Sequence, residues 1–154
     1  MISKYSVRIA FVIIILSFLT LQTANSQTRS KNQSLVPKEV WTMCNDFFKL
    51  MMDSSASKAF DLMLKNSPLF REKESVNNMV TQALHTFDLY GPIRGFELAD
   101  YEEVTSSYVR TRLISIHDIY PVKWVFTFYK SPKVGWIATN IMFEDKTDNL
   151  FIAD

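Results

Sequence analysis

The spacing of the apolar residues changes once along this chain, and that change limits the available folds more than any other feature. Between residues 38 and 89 the apolar residues recur every three or four positions, which is the period of amphipathic helices. After Gly91-Pro92 the period falls to two, the period of strands with one buried face. A Gly-Pro pair ends a helix, so the switch separates a helical half from a strand half.

The helical half divides into three segments. The first follows Pro37, a residue that suits a helix start, and has its apolar stripe between residues 40 and 51. The second covers residues 59–64 and ends before Pro68, because the residue that precedes a proline avoids helical geometry. The third is predicted from about residue 72 to 89.

The strand half predicts four strands, at residues 93–104, 107–119, 122–130 and 134–143. The alternation of the first slips near Ala99, which predicts a β-bulge. Short turns between consecutive strands require antiparallel pairing. The predicted fold class is therefore α+β, with three N-terminal helices packed on a curved four-stranded antiparallel sheet. Residues after 143 are predicted to form a tail that folds back.

The N-terminus has the features of an export signal. Lys4 and Arg8 precede an apolar run from residue 9 to 21, which is short for a membrane span of roughly 20 residues. Small residues at Ala24 and Ser26 predict cleavage before Gln27; an uncleaved anchor is the alternative. We therefore expect a signal peptide (1–26), a disordered leader (27–37) and one domain (38–154), exported to a periplasm or secreted.

The composition excludes several classes of function. The 17 basic and 16 acidic residues give no electrostatic reason to expect nucleic acid or an anionic membrane as a partner. One cysteine excludes an intrachain disulfide framework, and two histidines are too few for a convincing metal site. No motif of a serine hydrolase, zinc protease or P-loop protein is present. We expect no cofactor, no metal and no membrane span after cleavage.

The strand half carries short motifs that resemble a known family. They are Gly91-Pro92-Ile93, the segment KWVFTFYK at residues 123–130, Gly135-Trp136, and the segment MFED at residues 142–145. Together with the order of elements, the chain from about residue 40 to 151 resembles small exported domains of unknown function in the NTF2-like superfamily. The resemblance implies a cone in which helices fill the concave side of a bent sheet, as in NTF2-like and cystatin-like folds.

Related enzymes of that superfamily place an acid–base Asp or His inside the cone, but no residue of this sequence matches such a motif. His117, followed by Asp118, is the best acid–base candidate. In a strand His117 shares a face with Val109, Thr111, Leu113 and Ser115, while Asp118 points the other way. His117 is either a titrating group inside the cone or a histidine at its rim.

Three arginines form a second candidate site. Arg110 and Arg112 share one face of a strand, and Arg94 lies on the preceding strand. An inward pair would select an anionic ligand, because guanidinium groups bind carboxylates and phosphates bidentately. The alternative is an exposed face on which the arginines pair with acids of the neighbouring strand. Those acids are Glu97, Glu102 and Glu103.

Aromatic residues are the third candidate. Trp124 shares a face with Phe126 and Phe128, as expected for a core, and Tyr129 lies opposite with Val125. A sheet that is apolar on both faces requires cover on both, which predicts a homodimer through the outer face.

Two further residues complete the candidates. Trp136, with Trp124 and Tyr129, joins the ligand-binding candidates. Cys44 lies on the apolar stripe of the first helix and is interpreted as a small buried hydrophobe, not as a nucleophile.

Three functional hypotheses remain open. The first is an exported, non-enzymatic module that binds a small, partly apolar ligand or a protein partner in its cone. The second is a small isomerase or hydrolase of the same fold with a histidine or carboxylate as general base. The third is a structural dimerisation module whose cone is filled by its own side chains.

Overall fold

The helical half has the three predicted helices. A computed structural model describes residues 33–148 of the chain. Helices α1, α2 and α3 span Lys38–Met52, Ala56–Leu64 and Lys73–Tyr90. Short 3-10 turns at Gln33–Leu35 and Pro68–Arg71 precede α1 and α3. The predicted bounds agree within one or two residues except at the start of α2, where apolar spacing does not report the first turn.

The strand half is a four-stranded antiparallel meander. The strands β1 to β4 span Ile93–Thr105, Tyr108–His117, Val122–Ser131 and Gly135–Glu144. Each strand pairs with the next along the chain, so β1 and β4 are the edges of the sheet. The sheet is curved and open, and the predicted α+β architecture of three helices followed by this sheet is confirmed.

Local sequence explains where the helices end. Helix α2 ends at Leu64, and Ser67 begins the next turn, where its hydroxyl accepts a hydrogen bond from the backbone N–H of Leu69 at 3.2 Å. Helix α3 stops at Gly91, whose φ of +84° lies in the left-handed region that favours glycine. These two stops direct the chain into α3 and then into the sheet.

Two of the four register shifts in the sheet, one in β1 and one in β4, decide which face the candidate residues occupy. The pairing of β1 with β2 shifts between Leu98 and Asp100, which confirms the bulge predicted at Ala99. A second bulge was not predicted. In β4 the pairing with β3 passes from Ala138 to Asn140, so Thr139 is the extra residue. Its hydroxyl donates to the carbonyl oxygen of Thr127 at 3.2 Å.

One face of the sheet packs against the helices, and we call it the inner face. It is formed by alternate residues of the strands, with Leu113 of β2 and Trp124 of β3 both fully buried. The other inner-face core residues are Val109, Phe126, Phe128, Ala138 and Ile141. The opposite surface, the outer face, carries Arg110, Arg112, Val125, Thr127, Tyr129, Ile137 and Met142.

The sequence predicts a signal peptide and a leader at the N-terminus and a tail at the C-terminus. The predicted signal peptide, the leader as far as residue 32 and the tail from residue 149 lie outside the described residues. Residues 33–37, which the prediction placed in the leader, include a 3-10 turn at Gln33–Leu35, and Val36 is buried in the core. Val36 is apolar and lies just before α1, so its side chain packs into the core. None of the helices within residues 33–148 is long and apolar enough to cross a membrane.

Candidate functional site

The space between the inner face and the helices is filled by aromatic side chains. Phe47 of α1 is fully buried at the centre, with its ring centroid 5.4 Å from that of Trp124 and 5.2 Å from that of Phe126. The rings of Phe48 and Phe60 lie 5.3 Å from Phe47 in edge-to-face arrangements. Such pairs add to the stability gained by burial alone.

A hydrogen-bonded chain of polar side chains lies beside this aromatic cluster. The indole N–H of Trp124 donates to the Ser115 hydroxyl oxygen at 2.9 Å. Ser115 Oγ is 3.0 Å from Nε2 of His117, and Nδ1 of His117 is 2.7 Å from the carbonyl oxygen of Gly91. A carbonyl oxygen only accepts, so Nδ1 of His117 donates to Gly91, and the Ser115 hydroxyl is also placed to donate to the carbonyl oxygen of Val122 at 3.3 Å.

The Ser115–His117 contact has the geometry of a nucleophile and its base. Ser115, however, is fully buried, and its oxygen already accepts the Trp124 N–H. His117 is 7% exposed, with its ring centroid 5.9 Å from that of Phe87. These hydrogen bonds thus link β2 and β3 to the end of α3. They also satisfy the buried polar atoms of Ser115 and His117.

Cys44 belongs to the same interior. It is fully buried, and its sulfur lies 3.7 Å from the Thr111 hydroxyl. Burial raises the pKa of the thiol to about 12, partly offset by the hydrogen bond to Thr111. The thiolate needed by a nucleophile is therefore disfavoured at neutral pH. The interpretation of Cys44 as a small buried hydrophobe is confirmed.

Arg110 and Arg112 lie on the outer face, so they do not form the inward pair that an anionic ligand in the cone would require. Arg112 pairs with Asp100 and, at 3.0 Å, with Glu102. Arg110 lies 3.4 Å from Glu102. Glu102 was among the predicted acids, whereas Asp100 was not, because the Ala99 bulge places it opposite Arg112.

Arg94 forms a separate pair at the end of the sheet. Its Nε and Nη2 atoms donate to the two carboxylate oxygens of Asp118 at 2.7 and 2.9 Å. The Arg94 guanidinium lowers the pKa of Asp118, chiefly through its hydrogen bonds. Asp118 is exposed while His117 is buried, so these neighbours face different environments, as the strand geometry predicted.

The aromatic candidates are divided between the two faces. Trp124 is fully buried in the inner-face cluster, and Trp136 packs against the edge of that cluster. The Nζ atom of Lys130 lies 5.8 Å from the centroid of the Trp136 ring. Tyr129 is on the outer face and is 38% exposed. The seven candidates therefore do not meet in one site.

The apolar centre of the outer face is largely covered by the chain itself. Val125 is only 8% exposed, and it lies in register between Arg112 and Met142, whose long side chains flank it. Thr127 is 3% exposed in the next row. Met142, near the free edge of β4, is 54% exposed. Exposed apolar side chains therefore lie both on the edge strand β4 and on the central strands, where Tyr108 is 41% and Tyr129 is 38% exposed.

Two clefts lined by described residues lie away from the aromatic interior. One, of about 270 Å³, lies beside the β1–β2 turn and includes Glu103, Val104 and Tyr108. Another, of about 360 Å³, follows the loop between residues 65 and 71. Within residues 33–148, no group of three or more His, Cys, Asp or Glu side chains is placed to hold a metal ion.

Comparison of the chain with protein-family models, with curated proteins and with solved structures found no match. The functional assignment therefore depends on the geometry of the interior and of the sheet.

Proposed function

We propose that this chain is an exported, non-enzymatic module of the NTF2-like type that works by self-association. In this proposal the interior has a structural role, and a second copy binds the exposed surface of the sheet. It corresponds to the third of the hypotheses that the sequence left open.

The filled interior is the observation that carries this proposal. A cone that binds a ligand needs an apolar cavity with a few convergent polar groups. Here Phe47, Trp124 and Phe126 occupy that volume and contact one another with no exposure to solvent. The polar groups next to them, Ser115 and His117, are already paired with protein partners. These contacts favour a core over a pocket.

The enzymatic alternative needs a histidine or a carboxylate as general base, and His117 is the histidine that lies beside a possible nucleophile, Ser115. A nucleophile must reach substrate, and Ser115 is fully buried in a chain of three hydrogen-bonded side chains. A serine-reactive phosphonate probe should therefore leave the folded protein unmodified. Labelling of Ser115 in the folded state would support the hydrolase instead.

Native mass spectrometry tests the proposal directly. The full sequence is expressed through its own export route, and the same sample is measured under native and denaturing conditions. We expect a native species of two chains without additional mass, and a denatured chain that begins at Gln27. A small organic mass that leaves on denaturation would overturn the filled-interior proposal in favour of a ligand-binding cone. A monomer at every concentration would overturn self-association.

A further inference from the structure

The free edge of β4 is the exposed surface for which the structure indicates a partner. β4 is an edge strand and pairs with β3 alone among the described elements. Within residues 33–148, none of the backbone hydrogen bonds formed outside regular elements involves a residue of β4. Within residues 33–148, no other strand pairs with the second row of N–H and C=O groups of Gly135–Phe143, and such a row is a template for pairing with another chain.

The two edges of the sheet differ in their protection against pairing. The register of β1 with β2 shifts at three places, and the strand carries five charged residues. They are Arg94, Glu97, Asp100, Glu102 and Glu103. β4 has one shift and no charged residue from Gly135 to Phe143. Charges and bulges prevent edge-to-edge pairing, so β4 is the less protected edge.

The sequence of β4 is chemically similar when read from either end. Its midpoint lies between Thr139 and Asn140, which are both small and polar. Outward from that point the residues match in type, as Ala138 with Ile141, Ile137 with Met142, and Trp136 with Phe143. A two-fold axis at the midpoint places each residue opposite the one that resembles it.

The bulge at Thr139 allows the paired residues of the two copies to point to the same face of the sheet. Opposed residues of antiparallel strands point to the same face. Trp136 and Phe143 both pack toward the core, while Met142 lies on the outer face. In a regular strand residues 136 and 143 would point to opposite faces, because their separation is odd. The extra residue brings them to the same face.

The charges that flank β4 are complementary in the same arrangement. Lys130 and Lys133 precede the uncharged run, and residues 144–148 (EDKTD) carry three acids and one lysine. Glu144 also pairs with Lys123, and Asp145 accepts a hydrogen bond from the Tyr90 hydroxyl at 2.7 Å. Antiparallel pairing places the basic end of each copy beside the acidic end of the other. It also covers Met142, which is 54% exposed in the single chain.

We propose that two copies of this chain pair antiparallel through β4 about an axis between Thr139 and Asn140, which joins their sheets into one continuous sheet. This inference rests on the proposed function, since it names the surface of self-association. It differs from a face-to-face dimer, in which the outer faces of the two sheets would meet.

A lysine placed at the proposed two-fold axis tests whether the edge of β4 forms the dimer interface. Asn140→Lys places two like charges next to each other in the proposed dimer, so we expect at least about a tenfold rise in the dimer dissociation constant by sedimentation. Val104→Lys is the matched control, because Val104 is 74% exposed on β1 at the other edge. The control should keep the wild-type dissociation constant. Circular dichroism and urea unfolding check that each variant folds.

Disulfide capture gives a second measurement that does not require a weakened dimer. Asn140→Cys should form a disulfide-linked dimer under mild oxidation, and Arg110→Cys on the outer face should not. Native Cys44 is fully buried, and a thiol reagent in the denaturing buffer blocks it as unfolding exposes it. Two results together would overturn the β4 interface while leaving self-association intact. The first is a cross-link in Arg110→Cys but not in Asn140→Cys, and the second is a dimer that Asn140→Lys does not weaken. A monomeric wild type would instead overturn the proposed function.

Discussion

At the scale of single residues, Ser115 has the largest number of partners in the polar chain. It accepts the N–H of Trp124 and lies within hydrogen-bond distance of His117 and of the Val122 carbonyl oxygen. Ser115→Ala leaves the buried Trp124 N–H without its acceptor. An unsatisfied buried group costs about 1–3 kcal/mol, so we expect a loss of that size in the free energy of unfolding in urea.

Ser106→Ala is the matched control for that prediction, since Ser106 is exposed in the β1–β2 turn. A surface change of this kind should stay within about 0.5 kcal/mol of the wild type. Equal losses for the two variants would show that the Ser115 hydroxyl has no special role in holding β2, β3 and the end of α3 together.

The sequence predicted some of these residues better than others. Strand alternation was enough to assign His117 and Ser115 to one face, because that depends only on position along β2. The bond between Ser115 and Trp124 joins two strands, so it depends on their register, which a single sequence does not give. The Arg112–Asp100 pair was missed for the same reason, since the bulge decides which acid lies opposite the arginine.

At the scale of elements, the end of α3 is the junction on which the two halves depend. Gly91 has a φ of +84°, and a Cβ there would lie 3.0 Å from Oδ2 and 3.1 Å from Cβ of Asp118. Gly91→Ala would therefore strain the backbone and displace the partner of Arg94. The Gly91 carbonyl also accepts the hydrogen bond from His117, so the strain reaches the polar chain.

Gly135→Ala separates the backbone effect from the steric one. Gly135 has a similar φ of +77°, but a Cβ there meets nothing within 4 Å. We expect Gly135→Ala to lose about 1–2 kcal/mol of unfolding free energy, the penalty of a left-handed conformation. Gly91→Ala should lose at least about 1 kcal/mol more. Urea unfolding of both variants measures the difference, and equal losses would contradict the role given to Asp118.

The elements also show why one bulge was predicted and the other was missed. In β1 the slip near Ala99 interrupts a clear alternation of apolar and charged residues, so the extra residue is visible in the sequence. In β4 the residues on either side of Thr139 and Asn140 are apolar on both faces, so alternation does not show that one residue of this polar pair is extra. Its position becomes visible only through the pairing with β3.

At the scale of the whole molecule, the filled interior separates a structural module from a ligand-binding one. Phe47 contacts Phe48, Phe60, Trp124 and Phe126. Phe47→Ala removes the ring at the centre of this cluster, and such a change costs about 3–5 kcal/mol because the surroundings collapse only in part. The variant should remain folded with a dry apolar cavity, since cavities lined by apolar side chains stay empty of water.

That cavity gives a measurement on the intact fold. We expect Phe47→Ala to bind a small apolar probe such as benzene, seen as a rise in its melting temperature with probe concentration, while the wild type shows no rise. Leu62→Ala is the control, because Leu62 is 47% exposed and its removal opens no interior space. A wild-type protein stabilised by the probe as strongly as Phe47→Ala would show that the interior already holds a binding cavity. The aromatic cluster would then line a pocket, and self-association would no longer follow from a filled core.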